Sequence, residues 1–432
     1  KRGFGPSSGF KRGRVNAMKH VIAGTGPAGV VAAETLRKAD PEAAIVLIGN
    51  EPEPPYGRMA IPYALVGDID EAGTHLRKTE NHYEDLNIRV CQDHIAKVSG
   101  DDREVTLESG TVEPFDRLLI ATGASPVKPP VDGLDLPGVH HCWTLADARD
   151  IAELADDGAK VVMIGAGFIA CIILESLLKR GVALTVIERE SRMVQHMMND
   201  TAAAMLQHWC ENKGVKVLTG TQVSKVEEGK KTGLTVHLDN GDPLDAALVV
   251  VAAGARPNIG FLEGSGVKIE DGIVVDEYMK SSVDGIYAAG DCAQGPDWSG
   301  GWSVHGIQPT AADHGRVAAV NMAGGGAPFK GSLSMNVLDT AGLISSSFGR
   351  WHGVEGGDFA ESVVEEDFRY IRLAFEEDRI IGALTLGLTQ HIGVLRGLIQ
   401  TPVHLGEWKQ KLMDEPYKFM EAYLARAGGT RF

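Results

Sequence analysis

Two stretches of this chain read as strand, glycine turn, helix, strand, and they begin their turns 141 residues apart. In the first, the apolar run Lys19 to Ala23 enters Gly24-Thr25-Gly26-Pro27-Ala28-Gly29. A helical pattern through Val30, Val31, Ala32 and Leu36 follows, and then the strand Ala44 to Ile48. In the second, Val161 to Ile164 enters Gly165-Ala166-Gly167-Phe168-Ile169-Ala170, a helix runs through Leu178, and Leu184 to Ile187 ends at Glu188. Glycine in such turns lets the backbone reverse tightly. It also brings N–H groups at a helix N-terminus, where the macrodipole favours negative charge, close to a pyrophosphate. A single turn of this kind is a weak signal; two, each with strands on both sides, predict two dinucleotide sites.

The expected fold class is therefore α/β, with two Rossmann-like units, and 432 residues leave room for two to four domains. Two further apolar strands end in glycine turns, Arg117 to Gly123 and Gly285 to Asp291. Beyond Pro328 the pattern changes. Short strand-like runs at 336–338, 370–375 and 380–384 precede a helical end from Gly406 to Arg426, which predicts a small α+β module.

Composition removes several function classes. The formal charge is −16, and setting aside the five basic residues before Met18 leaves 37 basic against 58 acidic residues, or −21. A general nucleic-acid binder needs a basic face, so none is expected. No apolar run reaches about 18 residues, so no transmembrane segment is expected. Five scattered cysteines without a CxxC pair or zinc spacing predict no metal site and a cytoplasmic setting with reduced thiols. Residues 1–17, basic and rich in Gly and Ser, are expected to be a disordered leader or tag.

A carboxylate about twenty residues past each turn is expected to take hydrogen bonds from an adenosine ribose. In the first unit Gly49 holds that position and the acid is Glu51. In the second unit Glu188 stands at the strand end, where it would repel a 2′-phosphate; this favours NADH over NADPH, with Arg189 and Arg192 close by as opposing charges.

These residues, with Pro55-Tyr56-Gly57-Arg58, Ala121-Thr122-Gly123, Gly254-Ala255-Arg256-Pro257-Asn258 and Gly290-Asp291, make the chain resemble the FAD-dependent pyridine nucleotide-disulfide oxidoreductase superfamily. Its NADH oxidase, coenzyme A disulfide reductase and ferredoxin or nitrite reductase flavoproteins are the most similar groups. The resemblance implies an FAD domain in two pieces (18–130 and 253–327), an NAD domain (131–252) and a C-terminal interface domain (328–432) of a homodimer. It implies FAD against Arg58, Thr122-Gly123 and Asp291. It also implies a helix starting at Gln308-Pro309-Thr310 and aimed at the flavin N1–C2=O edge, where a helix N-terminus stabilises reduced flavin.

The chain departs from that resemblance at two places. Met59 stands where the thiol-dependent members carry a redox cysteine, and a thioether forms neither thiolate nor mixed disulfide. Ile172 stands where many relatives have a glutamate near the nicotinamide. In the stretch Ser299 to Gln308, Trp302 is a candidate for stacking beside the flavin and His305 for supplying a proton. The expected function is hydride transfer from NADH to FAD, with electrons passing on to an electron-transfer protein or a small-molecule acceptor. The alternative is an NADH-responsive sensor or scaffold flavoprotein with little turnover.

Overall fold

The computed structural model describes residues 17–229 and 233–426, so the expectation for residues 1–17 falls, but for Ala17, outside them. Two five-stranded parallel sheets dominate the body. The first runs in the order Ile286–Ala288, Arg117–Ile120, Lys19–Ala23, Ala44–Gly49, Ile88–Gln92. The second runs Lys216–Leu218, Ala183–Ile187, Lys160–Ile164, Leu248–Val251, Val139–His140. In each, the strand that feeds the glycine turn is central and lies in register with the strand that follows its helix, Lys19 beside Ala44 and Lys160 beside Ala183. Val21, Ile22, Leu118, Leu119, Met163 and Val250 are buried, as strands covered on both faces must be; their apolar runs do not alternate for the same reason.

Each parallel sheet has a three-stranded antiparallel companion. Ile95–Ser99, Glu104–Leu107 and Val112–Pro114 accompany the first, and Val223–Glu228, Leu234–Leu238 and Leu244–Ala246 the second. The outermost strand of the first sheet, Ile286–Ala288, follows the whole of the second sheet in the chain. Two links therefore run between the units. They pair as the antiparallel strands Ala124–Pro126 and Ala255–Pro257.

The C-terminal module is a five-stranded antiparallel sheet in the order Met335–Thr340, Leu343–Gly349, Arg379–Leu386, Arg369–Glu376, Asp358–Val364, followed by helices Ile392–Gln400, Trp408–Asp414 and Phe419–Arg426. Two of its strands had no sequence signal. Leu343–Gly349 carries Ser345, Ser346 and Ser347, all buried, so hydrophobic alternation is absent where the strand is most enclosed. The expected helix from Gly406 is two helices, because Pro416 cannot donate the next hydrogen bond. Leu338, Leu343, Tyr370 and Leu384 share a core with Leu174 and Leu177 of the helix Phe168–Lys179, which joins this sheet to the second unit.

Helix Pro27–Ala39 crosses helix Gln308–Met322 at closest approach beside Gly315, where an added Cβ would lie 2.2 Å from the Ala28 carbonyl oxygen. No side chain fits against fixed backbone at that distance. Gly315→Val should therefore destabilise the protein by about 3 kcal/mol, the upper end for overpacking, with a matching fall in melting temperature. A variant that melts with the parent would show that the helices can separate freely.

Candidate functional site

The two glycine turns open into one cleft of about 1720 Å³. That exceeds the roughly 300–1,000 Å³ of an ordinary small-molecule pocket and suits two extended ligands laid end to end. Gly24, Gly26, Pro27, Ala28, Glu51, Arg58, Ala121, Thr122, Gly123, Gly290, Asp291 and Gln308 line it from the first unit, and Gly165, Gly167, Phe168, Ile169, Glu188 and Gly254 line it from the second unit and its return link.

The glycines divide by what constrains them. A Cβ on Gly24 would sit 2.0 Å from the Ala121 carbonyl oxygen, one on Gly29 1.9 Å from that of Gly24, and one on Gly165 2.5 Å from that of Ala252. These three are required by the protein's own turns. Gly26 and Gly167, each at a helix N-cap, would meet nothing within 4 Å. Both line the cleft, so bare backbone there suits a phosphate seated at the helix start.

Glu188 is held in place by its own loop. Its Oε2 accepts from the Ala166 N–H at 2.7 Å and its Oε1 from the Glu190 N–H at 2.9 Å, and the residue lines the cleft with acceptor capacity remaining on each oxygen. The two nearby cations also line the cleft, each beside an acid: Arg189 Nε donates to Glu190 at 3.0 Å and Arg192 Nη1 to Asp200 at 2.7 Å. Glu51 has a different setting. Arg58 Nη2 donates to its Oε1 at 2.6 Å, the Tyr56 hydroxyl donates to its Oε2, and Arg58 Nη1 also reaches the Trp143 carbonyl at 2.7 Å. Burial pushes the Tyr56 hydroxyl well above its ordinary range, so it remains a donor to Glu51.

Thr122 and Asn258 clamp the floor of the first half. Thr122 Oγ1 donates to the Asn258 carbonyl at 2.7 Å, and the Asn258 backbone and side chain donate to the Gly123 and Thr122 carbonyls. Burial raises the Asp291 carboxyl above its usual range, partly opposed by the Arg58 charge, and among the described residues no side chain hydrogen-bonds it. An acceptor without a side-chain partner on the cleft wall fits a polyhydroxyl chain such as the flavin's ribityl group.

Six expected residues do not line the cleft. Gly29 packs against the Gly24 carbonyl, Ala170 is buried in helix Phe168–Lys179, and Pro309 and Thr310 follow Gln308 in the first turn of their helix. His305 faces away, its Nε2 2.9 Å from Asp297 Oδ2, with both side chains 8% exposed. Burial works to raise the Asp297 carboxyl, but His305 and Ser299 outweigh it and hold it below its ordinary range. Trp302 is pinned outside by its indole N–H, which donates to the Val275 carbonyl at 2.8 Å. Cleft residues without a motif of their own include Lys128, Trp143, Val194 to Met197 and Asn336.

Met59 lines the cleft and is half exposed, so no thiol occupies that place. Of the cysteines, all free, only Cys142 reaches the cleft, and burial pushes its thiol up to about 12. Cys171 and Cys292 are fully buried.

Two nucleotide cradles on facing parallel sheets, meeting in one cleft, define a two-dinucleotide oxidoreductase. The comparisons with known proteins give the class its family. Residues 18–317 match the pyridine nucleotide-disulphide oxidoreductase model, and the chain belongs to that family. It is 32% identical to an NADH oxidase of Methanocaldococcus jannaschii over 72% of this chain and 71% of that one. It is 28% identical to the NADH-dependent phenylglyoxylate dehydrogenase subunit epsilon of Aromatoleum evansii over 92% and 95%. Among solved structures it superimposes on putidaredoxin reductase in its covalent complex with putidaredoxin with a TM-score of 0.86, at 25% identity, covering 95% and 99% of the two chains. The protein is an NAD(P)H-dependent oxidoreductase that uses FAD and NADH.

Two predictions follow from the geometry. Glu188→Ala should raise the KM for NADH roughly tenfold or more, as expected when a charged acceptor of two hydroxyls is lost, while KM for NADPH changes less. Equal shifts for both nucleotides in steady-state kinetics would place the ribose elsewhere. The second concerns His314, which is fully buried and whose Nδ1 accepts from the Gly290 N–H at 3.4 Å. Burial, reinforced by His305, lowers its pKa to about 4. The unfolded chain binds that proton from its ordinary value near 6.5 downward, so stability is complete above about 6.5 and lost as pH falls toward 4. Protonation would set two N–H groups against each other at the Asp291 loop. FAD release, followed by its fluorescence, should therefore rise over this window, and His314→Asn should flatten the rise.

Proposed function

We propose that the chain oxidises NADH through FAD and delivers the electrons to a separate electron-transfer protein. The observation that carries this reading is Met59. The cleft joins both nucleotide cradles, yet the wall where the thiol-dependent relatives would act on disulfide or peroxide presents a thioether. A chain with no thiolate to carry the electrons must pass them directly from the flavin to whatever docks at the cleft. FAD, when bound, supplies the chemistry that converts a two-electron hydride into single electrons. This chain's residues bind, orient and exclude water: the two glycine turns seat the pyrophosphates, Glu188 holds the ribose, and Asp291 and Arg58 hold the flavin side.

The relatives support the same direction. The rubredoxin-NAD(+) reductase of Ectopseudomonas oleovorans is 26% identical over 89% of this chain and its full length. The putidaredoxin reductase structure shares the architecture over 95% of this chain. The same cradles and the same cleft suit delivery to a small iron–sulfur or rubredoxin-type acceptor. The Gln308 helix N-terminus at the flavin side of the cleft favours the reduced, anionic state.

The test is rapid mixing under anaerobic conditions, followed by an acceptor screen. NADH should bleach the flavin within milliseconds to seconds. Ferredoxin- or rubredoxin-type proteins should then reoxidise it at least about tenfold faster, per mole, than oxygen or peroxide. Slow reduction with a persistent long-wavelength band would instead mark a sensor, and fastest reoxidation by oxygen or peroxide would mark an oxidase.

A further inference from the structure

The second cradle has no polar side chain on its own helix for the nicotinamide end of its ligand. The side chains that helix Phe168–Lys179 contributes to the cleft are Phe168, Ile169, Ile172 and Ile173, all apolar. A nicotinamide ring carries a primary carboxamide. A ring that reacts at one face and one carbon needs that group fixed, because hydride transfer depends on a near-attack orientation.

The C-terminal sheet supplies such a group. Asn336 is the only cleft-lining residue that comes from that sheet. It sits in strand Met335–Thr340, which packs on helix Phe168–Lys179. Alternate residues of a strand share a face. Two positions on, Leu338 is buried in the same core as Ile173, Leu174 and Leu177, so Asn336 is turned to the same helix at its cleft end. Among the described residues its side chain makes one hydrogen bond, a long one of 3.5 Å from Nδ2 to Ser347 Oγ. Oδ1 and a second Nδ2 hydrogen are left without a protein partner. One acceptor and one donor on a planar amide are the complement of a primary carboxamide.

We propose that Asn336 is a specificity-determining residue that holds the nicotinamide carboxamide by a reciprocal pair of hydrogen bonds. The inference rests on reading the second cradle as the NADH site. It gives the C-terminal sheet a part in hydride transfer, since the sheet sets the rotation of the ring about its glycosidic bond while the glycine turn holds the pyrophosphate.

The experiment uses the flavin-loaded protein and three ligands titrated by calorimetry: NAD+, 3-acetylpyridine adenine dinucleotide, which has a methyl group in place of the amide NH2, and ADP-ribose, which has no nicotinamide. In Asn336→Leu the affinity for NAD+ should fall about tenfold, that for the acetylpyridine analogue should fall less, and that for ADP-ribose should not change. Asn336→Gln should recover part of the loss. Equal losses for all three ligands, or no loss for NAD+, would overturn the assignment. A parent protein that bound none of the three would remove the NADH reading itself, and Asn336's role with it.

Discussion

Both cradles depend on the same backbone contact. The N–H of the first turn glycine donates to the carbonyl at the end of the neighbouring strand, Gly24 to Ile48 and Gly165 to Ile187, each at 2.7 Å. That bond turns the chain out of the sheet so that the next helix starts at the sheet's carboxyl edge. Its free N–H groups then point into the crevice where ligands of open α/β sheets bind. Gly24, Gly165 and Gly29 are glycines because the protein's own carbonyls stand where their side chains would be. Gly26 and Gly167 have no such neighbour and present bare backbone to the cleft. One motif thus contains two kinds of glycine that only the packing tells apart.

Each cradle is held differently at its far end. Glu188 is fixed by two backbone N–H groups of its own loop and keeps acceptor capacity at the cleft it lines. Glu51 is locked into Arg58 and Tyr56, and through Arg58 to the Trp143 carbonyl, which braces the first site against the segment leading into the second. On the function proposed above, the locked acid suits a resident cofactor and the open one a nucleotide that exchanges.

Much of this was legible in the residues. Both glycine turns, their flanking strands and helices, Glu188, Asp291 and the Thr122-Gly123 turn all face the common cleft, because a βαβ unit leaves little freedom in where its turn can go. The reading was weakest where local pattern and burial disagree. The stretch from Ser299 to Gln308 looked like a catalytic segment, yet Trp302 bonds Val275 on the outer side and His305 pairs with buried Asp297. A residue close in sequence to a site can face either side of a strand, and no composition signal says which. The serine-rich strand Leu343–Gly349 was invisible for the opposite reason: its polar side chains are satisfied by sheet neighbours such as Thr385, so enclosure left no apolar trace.

The sequence by itself pointed to two dinucleotide sites and put a methionine, Met59, where a redox cysteine would stand. Both conclusions are local: glycine spacing dictates backbone shape, and Met59 cannot ionise. The tertiary structure decided how the sites work together. It merged the cradles into one cleft, turned His305 and Trp302 away from it, tied Arg189 and Arg192 to acids, and brought Asn336 from the far end of the chain to a wall of isoleucines. None of these is encoded by glycine spacing, because each depends on which surface folds against which, whether the partner is eight positions away, as Asp297 is from His305, or more than a hundred, as the helix at Ile172 is from Asn336.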